Sequence, residues 1–168
     1  MIRNVSECSA QNKKNSFVSM SGYSVTPLQE FSKEKDLRLF GRIAAFFEAD
    51  KARVEKLIEI SRISNRVVDF FITTVCKKKK IKPDDTSFDI YAQYKMSLRS
   101  YGKPRFDIFK RSVEKINVTN ANGLVLTSTI AQLNMIKWLI SSGICDYILE
   151  NEEFVTQMTK KFSRRARD

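Results

Sequence analysis

The chain contains no histidine. That absence removes Ser-His-Asp and Cys-His nucleophile systems, most catalytic zinc sites and imidazole acid–base chemistry. Cysteine is scarce: Cys8, Cys76 and Cys145 stand alone, none within four positions of another. No zinc knuckle or CxxC redox pair fits that spacing. An odd count so widely spread predicts reduced thiols, as in a cytosolic or nuclear setting. Five glycines, none in a Walker or Rossmann pattern, argue against a phosphate cradle, and no EF-hand or HExxH is present. No cofactor or metal is expected. Long apolar runs are missing too. The most apolar stretch, residues 67–75, is interrupted by Asp69 and has about half the length a bilayer requires. The start, Met1-Ile2-Arg3-Asn4, lacks the apolar region of a secretory signal and the glycine needed for myristoylation. No transmembrane segment is expected.

What is present is a domain-sized chain with a strong charge bias. Its 168 residues include 12 Phe, 5 Tyr and 1 Trp, too many large rings for a chain that buries nothing. A single domain of this length buries roughly two-thirds of its unfolded surface. Lys and Arg outnumber Asp and Glu by 30 to 19, giving a formal charge of +11. Such a surface favours phosphate-rich or carboxylate-rich partners: nucleic acid, an anionic leaflet or an acidic protein face.

The pattern predicts a mainly α fold of about five helices, one small β-hairpin and a flexible N-terminal arm. Residues 1–30 are rich in Ser and Asn without a sustained period. They read either as a disordered tail or as an arm that orders on a neighbour, with Phe17, Val18, Met20, Tyr23, Val25 and Leu28 as anchors. A single helical domain is expected over 31–163, followed by a basic tail at 164–168. Leu37, Phe40, Ala44 and Phe47 mark a first helix, widened by Leu39, Ile43 and Phe46. Asp50 is a natural N-cap for a second, longer helix whose apolar positions run from Val54 to Val75. Pro83 stops it. Thr86 with Asp89 resembles a capping box for a third, which Gly102 ends. Residues 103–111 are not helical by pattern, and Phe106 and Phe109 are expected to anchor them. Asn120-Ala121-Asn122-Gly123 between two apolar runs predicts the hairpin. Thr129 with Gln132 caps a fourth helix. Residues 144–148 form a link, and Asn151 caps the last helix.

Two basic clusters stand out. Lys77, Lys78, Lys79, Lys80 and Lys82 follow the long helix, where the dipole needs only one or two cations. Lys160, Lys161, Arg164 and Arg165 end the chain's last helix. Arg105, Lys110 and Arg111 alternate with phenylalanines between them. Together these are the candidate anion- or partner-binding residues. A solvated helix end explains part of each cluster, and a ring-rich single-strand platform is less apt because too few strands exist to carry one. Asp84-Asp85 reads as a helix-cap pair rather than a metal site. An ankyrin-like echo ending at Gly143 has no second copy.

Phe106-Asp107-x-Phe109, the hairpin, Thr127-x-Thr129-Ile130-x-Gln132-Leu133-Asn134-x-x-Lys137-Trp138-x-Ile140 and Asp146-Tyr147-Ile148 together resemble a small basic protein of nucleocytoplasmic large DNA viruses. The resemblance covers roughly residues 103–150. The chain departs from the family pattern at Ile108, Lys110, Ala131 and Met135-Ile136. The resemblance implies a viral protein made in the host cytoplasm and carried in the virion, and it supplies no catalytic residue. The first functional expectation is therefore a non-enzymatic minor capsid-type protein that bridges larger virion proteins through its arm and basic patches. The alternative is a packaging protein that binds nucleic acid without sequence readout. A homodimer is compatible with either.

Overall fold

The computed structural model describes residues 22–83 and 89–165. Anchors Phe17, Val18 and Met20, together with Cys8, Asp84, Asp85 and Thr86, lie outside the described residues. The elements run β1 (Ser24–Pro27), α1 (Glu34–Glu48), α2 (Lys51–Arg62), α3, α4 (Ile90–Tyr101), β2 (Ile116–Thr119), β3 (Val125–Ser128), α5 (Ile130–Ser141), α6 (Ile144–Glu150) and α7 (Glu152–Arg165). Helix α3 is continuous but not uniform. An α-helical turn, Asn65–Phe70, passes into a π-helical segment, Phe71–Val75, and closes as Cys76–Lys79.

The fold is mainly helical, with seven helices among the described residues rather than five. Two differences account for the count. The long helix expected after Asp50 breaks at Ile63 and Ser64, both in extended backbone. Ile60, Ile63 and Val68 are all buried, so the apolar spacing runs straight through the break and conceals it. The link at 144–148 is itself the helix α6. Asn151 does not cap α7 with its side chain. Its amide donates to the Tyr147 carbonyl at 2.8 Å and so closes α6.

The hairpin is present, and it has a third strand. β1 pairs antiparallel with β2, and β2 with β3, in the order β1-β2-β3. β1 falls in the segment read from sequence as an arm ending at residue 30. Four residues cannot establish a period, and their partner lies some ninety positions away, so only the tertiary fold defines this strand. The hairpin tip is closed by Asn120, whose Oδ1 accepts from the N–H groups of Asn122 (3.1 Å) and Leu124 (2.9 Å). Gly123 supplies the left-handed residue there, with φ +80°.

Other local expectations hold or shift by a turn. Asp50 accepts from Ala52 N–H at 2.9 Å and caps α2. Thr129 and Gln132 form the reciprocal capping box of α5. The cap of α4 is Asp89, which accepts from Ala92 N–H at 2.6 Å, one turn later than a box begun by Thr86. In α1 the buried stripe is Leu39, Ile43 and Phe47, while Leu37 is exposed. Segment 103–111 begins with a 3₁₀ turn, Lys103–Arg105. Its anchors are Phe106 and Ile108, whereas Phe109 is half exposed. Phe106 meets Tyr94, Tyr101 and Trp138 at centroid distances of 6.0, 5.8 and 5.6 Å, within the range for favourable ring pairs.

No helix among the described residues is long and apolar enough to cross a membrane.

Candidate functional site

Helices α3 and α7 pack against each other and bring the two basic clusters together. The buried face of α3 is Val68, Phe71, Ile72, Val75 and Cys76, and that of α7 is Val155, Met158 and Thr159. The π segment absorbs the adjacent Phe70–Phe71 pair that an α-helical stripe cannot accommodate in register. Beyond it the apolar residues face inward again, and Lys77 to Lys80 all face solvent. Lys80 ends the helix in the left-handed region, φ 48°.

The clusters meet at Phe162. Lys78 Nζ lies 5.1 Å from its ring centroid, a cation–π contact. On the opposite side of α7, Lys160 and Arg164 line a groove of about 280 Å³ with Arg66, Ser64, Val67, Thr159 and Ser163. No carboxylate lines that groove. Lys160 and Arg164, four residues apart, are spaced by roughly 6 Å along the helix, and Lys161 and Arg165 repeat the interval. Among the described residues, none of these four cations forms an ion pair. The acidic end of α7, Glu152 and Glu153, lies two turns or more away. Arg164 and Arg165 belong to this helix and not to a separate tail.

The remaining candidates scatter. Lys77 Nζ lies 5.5 Å from the Tyr91 centroid, and Lys79 and Lys82 are exposed. Lys110 and Arg111 are exposed on the loop before β2, far in sequence from either cluster. Arg105 is not available to a partner: its Nε donates to Asp36 Oδ1 at 2.6 Å, with both side chains largely covered. The sequence could not show this, because Asp36 lies 69 positions away.

A second cationic group, missed in the sequence, surrounds Phe46. Arg53 sits over its ring at 4.2 Å and Lys137 at 5.4 Å. Burial lowers the Lys137 pKa, and Arg42 and Arg53 add to that effect. Arg53 also donates to the Phe46 carbonyl at 2.9 Å, and Lys56 pairs with Asp146 at 2.7 Å. These cations are engaged with helix ends and carboxylates, so they form a weaker site than α7. Asp69, half-buried on α3, has its carboxyl raised by burial and then by Asp107, with Lys103 opposing. Burial pushes the Cys76 and Cys145 thiols up to about 12. At neutral pH neither is a thiolate nucleophile or a ready metal ligand. No group of His, Cys, Asp or Glu among the described residues could hold a metal ion.

Residues 24–167 match DUF7197, a family of unknown function. The chain belongs to that family. No curated protein and no solved structure matches it. The DUF7197 span opens at β1 and includes both helices of the cationic face, so the sheet and the face belong to one matched unit.

Within that span, the polar residues of α5 are committed to structure. Asn134 Nδ2 donates to the Arg105 carbonyl (2.8 Å), Gln132 Nε2 to the Ile108 carbonyl (3.0 Å) and Thr129 Oγ1 to the Lys110 carbonyl (2.9 Å). The three side chains latch segment 105–110 onto α5. Buried carbonyls in a non-helical segment need such donors. Asn134 is fully buried and aimed at a backbone, not at a cavity. Arg66 and Ser64 are the site residues that sequence reasoning missed. The available signal was Ser64-Asn65, a helix-start pair inside an otherwise periodic run.

Proposed function

We propose that the protein is a non-enzymatic component of a large DNA virus particle and works by docking. In this reading the cationic face of α3 and α7 seats on an acidic surface of a larger shell subunit, as a minor capsid-type protein assembled in the host cytoplasm. The supporting observation is the meeting of Lys78 with Phe162 beside Lys160, Arg164 and Arg66, a set of cations without carboxylate partners. Cations left unpaired in the free protein are available to a polyanion, and complementary charge steers and registers such contacts. Fractionation of purified particles tests this reading. The protein should stay with the shell after the genome is released. Its absence from particles, or release alongside genome in mild salt, overturns the reading.

The composition of the face favours a second reading, nucleic acid. Protein–protein interfaces are depleted of lysine at their cores, whereas nucleic-acid interfaces are far more positively charged. Here Lys160, Lys161, Arg164 and Arg165 surround only one ring, Phe162. Filter binding of DNA at about 50 and about 200 mM salt separates the two readings. Phosphate contact predicts a log–log slope of about −0.9 per neutralised phosphate. Weak retention even at low salt removes the nucleic-acid reading.

A further inference from the structure

The two edges of the sheet are treated differently. In β1 the ladder to β2 uses Ser24 and Thr26, opposite Thr119 and Asn117, and Leu28 N–H continues it to the Lys115 carbonyl at 2.9 Å. Val25 and Pro27 therefore face away from β2. The outward Val25 N–H is taken by Glu48 Oε1 at 3.1 Å, and Pro27 has no N–H to offer. This edge is closed by the devices that usually prevent strand addition.

The β3 edge has neither device. Asn120 N–H donates to the Leu124 carbonyl at 3.0 Å. Alternation then gives the β2 ladder to Leu126 and Ser128 and turns the N–H and C=O groups of Val125 and Thr127 outward. Among the described residues those outward groups have no partner. The strand carries no charge. Indeed residues 116–136 contain no Lys, Arg, Asp or Glu, in a chain of net charge +11. Leu124 and Val125 are 49% and 51% exposed there.

We infer that this edge pairs with a second copy of the same chain, β3 against β3 antiparallel, across a twofold axis at Leu126. An isologous contact needs a self-complementary surface, and this one supplies it. Val125 of each copy exchanges two hydrogen bonds with Thr127 of the other, and Leu126 lies opposite itself. In that register Leu124 of each copy lies opposite Ser128 of its partner, on the face that covers the core. A groove of about 200 Å³ opens there, lined by Ser61, Asn65, Ile108, Leu126, Ser128 and Ile136, and it receives the Leu124 side chain. Charge selects the occupant. Two strongly cationic chains repel wherever their cations face each other, and the uncharged β3 edge is a surface where they do not. Lys110 and Arg111 lie beyond the Ser128 end, so salt strengthens the contact by screening them. That dependence is opposite in sign to the binding of a polyanion on α3 and α7, and the pairing does not rest on that reading.

Sedimentation equilibrium of the full chain over about 1 to about 300 μM tests the inference at two salt concentrations. A concentration-dependent dimer that tightens with salt is expected. Thr127→Pro removes an outward N–H without touching the β2 ladder, because Thr127 and Asn117 form a non-hydrogen-bonded pair. Val125→Lys places like charges close to the axis. Each variant should raise the dissociation constant at least about tenfold, equivalent to about 1.4 kcal/mol, with an unfolding transition that shows it folded. Exchange of the Val125 and Thr127 amide protons should slow as wild-type concentration rises. A wild-type chain that stays monomeric throughout, a dimer that the folded variants leave unchanged, or exchange that ignores concentration overturns the proposal.

Discussion

Helix α5 with its hairpin and the α3–α7 face make opposite use of their polar groups. On α5, Thr129, Gln132 and Asn134 each satisfy a named backbone carbonyl of the segment laid against them, and the stretch carries no charge until Lys137. On α7, Lys160, Lys161, Arg164 and Arg165 satisfy nothing within the chain. The first region spends its hydrogen-bonding capacity on the fold, and the second keeps its charge for something outside. A residue's chemistry alone does not show which it does. Arg105 and Arg164 are the same side chain in similar basic surroundings, yet one is held by Asp36 and the other faces solvent.

Mutations that separate stability from binding sharpen this contrast. The largest loss of stability belongs to Phe106→Ala, which empties the centre of the Tyr94, Tyr101 and Trp138 cluster. Chemical denaturation should show a loss of about 3–5 kcal/mol. Asn134→Ala leaves the Arg105 carbonyl without its donor in a buried site. The same measurement should show about 1–3 kcal/mol, and a value near zero would mean that the latch carries no stability.

Asp69→Asn acts in the other direction and depends on pH. The Asp69 carboxyl titrates above its ordinary value of 3.8 when folded, through burial and the Asp107 charge. Its contribution is therefore favourable below the unfolded pKa and is lost as pH rises through the folded one. The variant should have a higher urea midpoint than wild type at pH 7, and that advantage should vanish near pH 3. Lys160→Gln combined with Arg164→Gln should have the smallest effect on stability, within about 0.5 kcal/mol. The same pair should flatten the salt slope of polyanion binding by about 1.8 if both cations contact phosphates. A large stability loss in this double variant would dissolve the distinction between the two regions.

Much of the first region was legible in the sequence. Asp50, the Thr129–Gln132 box and Asn120 with Gly123 mark elements through local chemistry, and each operates as its residue type predicts. What escaped the sequence depends on distant partners. β1 exists because β2 accepts it, and the break at Ile63 is hidden because Ile60, Ile63 and Val68 bury a continuous apolar row on both sides of it. The basic clusters were visible as runs of charge, but their meeting was not. That required Phe162 to lie beside Lys78, and no spacing rule relates residues more than eighty positions apart.

The π turn at Phe71–Val75 carries one consequence for insertions and deletions. It holds a surplus residue in α3, and losing that residue would restore an ordinary helix while rotating everything after it by about 100°. Lys78 would then swing off the Phe162 ring, and Cys76 would leave the core. The azimuth at which four lysines meet their neighbouring helix is thus set by chain length at one turn, and not by any contact the lysines make.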